Sequence, residues 1–288
     1  MWRAANCQAM KDLEFREPSM DLSCGDGLFS FLMAGGKLDP KFDIFHATDN
    51  LDDFFDNADI YNATTETYSP PVKKHPERSI TVGTDWKQDL LDKAAELDFY
   101  DELVEHDNND PLPFEDDRFM TVFSNSAYWV ENIDMHLSEI ARVTNPDGRV
   151  YLQLKLSHIT DWLETLWVEY EDFISGEVIE MIDRGRSDNK KHLHTDSGWR
   201  ERLESAGLQV IESRTTATQL HSRMWDIGLR PISPYLIRMA NGLPPEERNS
   251  VKADWVDTFE KMLSPFTSPT VDYRERPPAE KVYVLRPE

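Results

Sequence analysis

The stretch MDLSCGDG, from Met20 to Gly27, sets small residues at Ser23, Gly25 and Gly27 and carboxylates at Asp21 and Asp26. A glycine turn after an apolar strand lets a ligand approach the backbone closely, and open α/β sheets bind their ligands at such turns. The GKS or GKT of a phosphate loop is absent. The two carboxylates would repel the pyrophosphate of a dinucleotide and attract a ligand bearing sulfonium and ammonium groups. Charge therefore favours S-adenosylmethionine over NAD or FAD at this turn.

An adenosine needs an acid at the end of the second strand to accept from its ribose hydroxyls. Two residues compete for that post. Asp49 follows Gly27 by 22 residues, near the usual spacing, and Asp85 by 58. Asp85 ends the better strand, SITVGTDW, and precedes the better helix, so it is preferred with Asp49 as runner-up. Asp107 closes a third strand, ELVEHD; it could accept from an adenine amine while Asn108 bonds the ring edge.

These residues need a scaffold, and the apolar patterning supplies one. SMDLSC reads as a strand, LFSFLMAGG as a helix with a glycine stop, and KQDLLDKAAELDFY as a helix with Leu90, Leu91, Ala94 and Leu97 on one face. MTVFSNS is a fourth strand, DMHLSEIARVT an amphipathic helix, NPDG a turn and RVYLQLKL a fifth strand. A helical stretch with Trp162, Leu163, Leu166 and Trp167 follows, then the helix SGWRERLESAG, the strand LQVIES and a terminal strand KVYVLRP. Strands alternating with helices predict an α/β fold with a mostly parallel sheet covered on both faces. One domain over 1–288 is expected, with an irregular insertion at 37–79 and a helical addition, a lid over the acceptor, at 215–275.

Composition excludes several classes. With 54 acidic against 31 basic residues the net charge is −23, which repels nucleic acid; KHPERS and RGRSDNKKHLH are the only short basic candidates. The Asp-rich, Lys-poor balance resembles that of proteins from salt-accumulating halophiles. No apolar run is long enough to span a membrane and no leader pattern opens the chain, so a cytoplasmic location is expected. Cys7 and Cys24 have no metal or disulfide spacing, so no metal is expected, and the sequon at Asn62 is discounted.

MDLSCGDG, TVGTDW, EHDNNDPLPFEDDRFMTVFSNSAYWV, SEIARVTNPDGRVYL and LESAGLQVIES, in that order, resemble the class I S-adenosylmethionine-dependent methyltransferases. The resemblance is to the type 11-like branch with the LPFEDDRF loop, and to a subgroup with an insertion after the first helix. It implies a Rossmann-like fold with a seven-stranded sheet. It also implies that Asp21, Ser23, Gly25 and Gly27 surround the methionine moiety, and that Asp85 binds the ribose with Trp86 packed on the adenosine. Asp107 and Asn108 would address the adenine, and Ser124 would line the pocket. Ser23 stands where the family usually has glycine, Met120 where aspartate is common, and Asp147 at the first glycine of a Pro-Gly-Gly turn.

Methyl transfer from a sulfonium is an in-line displacement, so the protein has to align and desolvate the acceptor and, where needed, take a proton. Tyr128, Trp129, Lys155 and His158 emerge at the carboxyl ends of the fourth and fifth strands, with His158 the favoured base and His136 facing away. From the helical addition, His221 could reach the acceptor as a second candidate, and Arg223 and Arg230 could clamp an anion on it. Trp225 and Trp255 read first as core of that addition, with Trp225 kept as a possible acceptor contact. No DPPY or NPPY follows the fourth strand, which disfavours amino methylation of a base or glutamine. A small molecule, or a lipid- or glycan-linked sugar methylated on a hydroxyl or uronic acid carboxylate, fits better. The rivals are a catalytically silent cofactor-binding protein working through a partner surface, and a nicotinamide oxidoreductase.

Overall fold

A computed structural model describes residues 2–42, 68–161, 176–178, 192–229, 232–267 and 277–288. An opening helix α1 (Trp2–Met10) leads to β1 (Ser19–Leu22), the glycine turn and α2 (Leu28–Met33). Two short strands, β2 (Lys37–Leu38) and β3 (Val72–Lys74), come next. Then the chain alternates: β4 (Ile80–Asp85), α3 (Gln88–Ala95), β5 (Tyr100–Glu105), β6 (Phe119–Ser124), α4 (Ile133–Val143) and β7 (Thr144–Lys155). The last third contains α5 (Asp196–Ser205), β8 (Leu208–Thr218), α6 (Gln219–Arg223), a π-helical segment Met224–Leu229, α7 (Ser233–Asn241), α8 (Pro245–Thr267) and β9 (Pro278–Pro287).

Seven strands form one sheet in the order β5-β4-β1-β6-β7-β9-β8, in which β9 runs antiparallel to both neighbours. The expected mostly parallel, Rossmann-like α/β sheet with a helical addition before its last strand is thus present. Chain order leads outward from β1 through β4 to β5, then jumps back to β6 on the other side of β1. The carboxyl ends of β1 and β6 flank that reversal, where an open α/β sheet leaves a crevice.

Strand alternation divides the core between the two faces. Val150, Leu152 and Leu154 of β7 join Leu137 and Ile140 of α4 and Trp199 and Leu203 of α5 on one side. Tyr151 points the other way, to Met10, Phe29, Phe123 and Val282 under α1 and α2. Trp199 is fully buried, and its indole N–H donates to the Lys155 carbonyl at 2.8 Å, which ties α5 to the end of β7. The LPFEDDRF loop before β6 is held by Arg142 of α4, which donates to Glu139, Asp116 and the carbonyls of Leu112 and Phe114.

Several boundaries differ from the patterning. β1 ends at Leu22, because Ser23 has φ 56° and leaves the strand direction. The NPDG turn is taken into β7, which starts at Thr144 beside Phe119. Glu105, not Asp107, ends β5. The ends of the 37–79 segment are not irregular: Lys37–Leu38 pairs antiparallel with Val72–Lys74. Residues 215–218, assigned to the helical addition, complete β8 along β9. The opening helix α1 was not anticipated. Asp49, Asn62, Arg230 and the stretch with Trp162, Leu163, Leu166 and Trp167 lie outside the described residues.

Both turn glycines sit at positive φ, 59° at Gly25 and 72° at Gly27, where L side chains are strained. A Cβ at Gly27 would also come within 2.9 Å of the Tyr100 ring and 3.0 Å of Leu97, whereas one at Gly25 would meet nothing within 4 Å. Gly25→Ala should therefore cost about 1 kcal/mol and Gly27→Ala about 2 to 3 kcal/mol. Urea unfolding of the two variants checks the ranking, which equal midpoints would contradict.

Candidate functional site

The crevice is built from the turn after β1 and the loops after β4, β5 and β6. The Cys24 N–H donates to the Thr84 carbonyl at 2.8 Å, so the turn is stitched to β4. Asp85, at the end of β4, accepts from the Gly25 N–H at 3.1 Å on one carboxylate oxygen and from the Lys87 N–H at 3.0 Å on the other. Those two bonds fix the carboxylate plane and still leave lone pairs on both oxygens. Asn108 reaches across from the loop after β5, and its Nδ2 donates to the Ser23 hydroxyl at 2.7 Å. Its Oδ1 is buried with no hydrogen-bond partner, as is Oδ2 of Asp26.

Asp21 lies deepest. It is 2% exposed and accepts a 2.8 Å hydrogen bond from the Tyr100 hydroxyl and another from Ser30. Tyr100 belongs to β5, two strands away, and its ring reaches Asp21 by lying over β4 at Gly83. A Cβ there would come within 2.7 Å of the ring. Burial pushes the Asp21 carboxyl up to about 6, against the two hydrogen bonds and with help from the nearby Asp85 charge. Burial likewise raises Asp26 and Asp85. Three acids thus crowd one crevice, each less willing to ionise than in water.

The remaining expected residues fall into two sets. Ser124 is fully buried at the end of β6, and its hydroxyl accepts from the Ser126 N–H at 3.4 Å. Beyond it the 3-10 turn Ala127–Trp129 carries Tyr128 and Trp129, and the Lys155 ammonium lies 4.3 Å from the Tyr128 ring centroid and 6.0 Å from that of Trp129. His158 follows at the end of β7, its Nδ1 2.7 Å from Asp161. Tyr128, Trp129 and Lys155 thus lie together past the carboxyl ends of the paired strands β6 and β7, and His158 follows Lys155 by three residues. Trp86 is 62% exposed with the Lys87 ammonium 5.0 Å from its ring, and Asp107 is exposed, its carboxylate accepting from both the backbone and side chain of Asn109.

The helical addition departs from expectation. His221 is fully buried, and its Nδ1 accepts from the Thr218 N–H at 3.1 Å in a capping box at the start of α6. That bond commits the nitrogen a base would use, so His221 holds a structural post. Arg223 is exposed and Trp225 is 37% exposed, and α6, which carries Arg223, packs against the 3-10 turn Ser157–Ile159 that carries His158. His136, placed on α4, is fully buried, and burial beside His106 pushes it down to about 4. Tyr100 and Gly83 were missed by sequence reasoning; a tyrosine opening an otherwise acidic strand, YDELVE, was the available signal.

Residues 64–152 match the family described as a methyltransferase domain. A search of curated proteins finds no match. Among solved structures the fold is similar to the [4+2]-cyclase SpnF, 14% identical, covering 99% of this chain and 80% of that one with a TM-score of 0.51. Two others are the Haloferax volcanii complex with the Trm112 methyltransferase activator (18% identical, 99% and 89% covered, TM-score 0.47) and a TehB-like SAM-dependent methyltransferase from Corynebacterium glutamicum (11%, 100% and 89%, TM-score 0.44). At these identities the likeness to SpnF speaks to the fold alone.

The raised Asp21 has a thermodynamic consequence. Because its folded pKa exceeds the unfolded one, folded protein binds the extra proton between about pH 4 and pH 6, and stability falls as pH rises through that window. Above pH 6 the ionised Asp21 costs about 3 kcal/mol. Asp21→Asn should raise the thermal midpoint of the ligand-free protein at pH 7.5 and lose that advantage near pH 4, as read by calorimetry. An unchanged or lower midpoint at pH 7.5 would show that Asp21 is not strained.

Proposed function

We propose that this chain, whose residues 64–152 match the methyltransferase domain family, moves a methyl group from S-adenosylmethionine to a small-molecule or glycan-type acceptor. The observation that carries the reading is the crevice itself. Buried carboxylates at Asp21, Asp26 and Asp85 surround a glycine turn at the sheet's switch point, an arrangement that disfavours phosphate and favours a cation.

The residues fit the cofactor on four counts. Gly25 leaves open space where any side chain would stand. Asp85 has lone pairs available for ribose hydroxyls, and its carboxylate is already oriented by Gly25 and Lys87. The unpartnered Asn108 Oδ1 can accept from an adenine amine. Asp21, Ser23 and Gly27 would hold the methionine end, with Ser124 closing the floor of the pocket. Trp86 and Asp107, both exposed, would turn inward only on contact with adenosine.

S-adenosylmethionine supplies a methyl already activated as a sulfonium, so what this chain contributes is alignment and dryness. Asp21 and Asp85 would stabilise positive charge in a site shielded from water, and cation binding would favour their ionised forms. Tyr128 and Trp129 offer aromatic faces beside the crevice, and Lys155 can bring charge to an acceptor carboxylate or hydroxyl. His158, its imidazole oriented by Asp161, would take a proton from a hydroxyl acceptor at Nε2. An acceptor that is a sugar hydroxyl or uronic acid carboxylate, on a free molecule or on a lipid or glycan precursor, suits that set. Arg223 and Trp225 could join it only from the helical addition.

Calorimetric titration with S-adenosylmethionine should give micromolar binding at pH 7.5, at least tenfold weaker in Asp85→Ala. Binding in the wild type should weaken as pH falls below about 6, because Asp21 takes up a proton there and its attraction for the cation is lost. Folded protein that binds no S-adenosylmethionine, in high or low salt, would overturn the proposal.

A further inference from the structure

Asp21 is held by hydroxyls from two different elements, Tyr100 of β5 at 2.8 Å and Ser30 of α2. Tyr100 is not its neighbour in the sheet. In the strand registers Asp21 stands opposite Gly83 of β4, Gly83 stands opposite Leu103 of β5, and Tyr100 opens β5 opposite Ile80. The ring therefore crosses β4 diagonally, over the only glycine of that strand, to put its hydroxyl on the carboxylate.

The surroundings of Asp21 explain why a hydroxyl suits that post. Asp85 of β4 acts on it, Cys24 of the turn feels its charge together with those of Asp85 and Asp26, and β6 sets the apolar Phe123 in register with it. The cations Arg3 and Lys93 act on Asp26. Burial opposes a charge on Asp21, and Asp85 opposes it further. A lysine or arginine donor would relieve that, but it would also neutralise the carboxylate before a cationic ligand arrived. A phenol and an alcohol favour the ionised form by hydrogen bonding and leave its net charge in place.

We infer that Tyr100 is a positioning residue for the methyl donor: its hydroxyl, with that of Ser30, keeps the buried Asp21 an oriented carboxylate for the cation to meet, and thereby sets how acidic a medium the crevice can bind in. The identity of the cation rests on the methyl-transfer reading; the hold of Tyr100 on Asp21 does not. Gly83 belongs to the same device, since a Cβ there would come within 2.7 Å of the ring and displace it.

The test is calorimetric titration of the full chain with S-adenosylmethionine at constant ionic strength, between about pH 5 and pH 8.5, in wild type, Tyr100→Phe and Ser30→Ala. Tyr100→Phe keeps the ring over Gly83 and removes only the hydroxyl. Loss of a hydrogen bond to a charged group should move the acid limit of binding up by about one pH unit, from about 6 toward 7. Ser30→Ala should move it the same way, and affinity at the alkaline end should stay within about threefold of wild type. The Tyr100 phenol and the Cys24 thiol are raised by burial well above this range, and the ligand's amine titrates at about 8 alike in every variant, so none of them mimics the shift.

Thermal midpoints read the same coupling without ligand. The deficit of Tyr100→Phe against wild type should be small below about pH 6, where Asp21 is protonated in both, and should grow up to about pH 7. In an Asp21→Asn background that growth should vanish, because the group Tyr100 acts on is gone.

Binding that Tyr100→Phe and Ser30→Ala weaken equally at every pH, or do not weaken at all, would overturn the inference and leave methyl transfer standing. So would a thermal deficit that stays constant with pH, or one whose growth persists in Asp21→Asn. Folded wild type that ignores S-adenosylmethionine, with a deficit that still grows with pH, would support the hold of Tyr100 on Asp21 and sink the methyl-transfer reading.

Discussion

The hydrogen bond from the Tyr100 hydroxyl to Asp21 organises much of this molecule. It spans β4, and the ring can lie there only because Gly83 beneath it and Gly27 beside it have no side chains. The same ring packs against Phe99, whose partner Phe31 belongs to α2, so the bond also sets how α2 and β5 approach each other. Remove the ring, and the buried carboxylate loses a donor just where it cannot find water. The sheet order, the glycine turn and the depth of Asp21 are in this sense one constraint.

That constraint places negative charge where folding alone would not. Asp21, Asp26 and Asp85 are all raised by burial, and Asp85 raises Asp21 further. In a globule built only for stability such acids would sit at the surface or beside cations, as Asp26 does with Arg3 and Lys93 close to it. Lysine and arginine do balance the acids elsewhere: Lys281 donates to Asp196 and Arg142 binds Glu139. The described donors to Asp21 and Asp85 are hydroxyls and backbone N–H groups, so neither carboxylate has a lysine or arginine hydrogen bond among the described residues.

Much of this was legible because strands and turns leave local marks. SITVGTDW and MTVFSNS carry β-branched and aromatic residues between polar ends, and both are strands; Asp85 was preferred over Asp49 on that ground. Contacts set by three-dimensional packing were not legible. Nothing in YDELVE tells that its tyrosine reaches two strands over, since the partner is 79 residues away. His221 looked available by composition, yet its position three residues after Thr218 made it a helix cap. The opening helix was missed because Trp2 and Met10 are the only large apolar residues in WRAANCQAM, and its burial comes from lying across β8 and β9, where the Trp2 indole donates to Glu280.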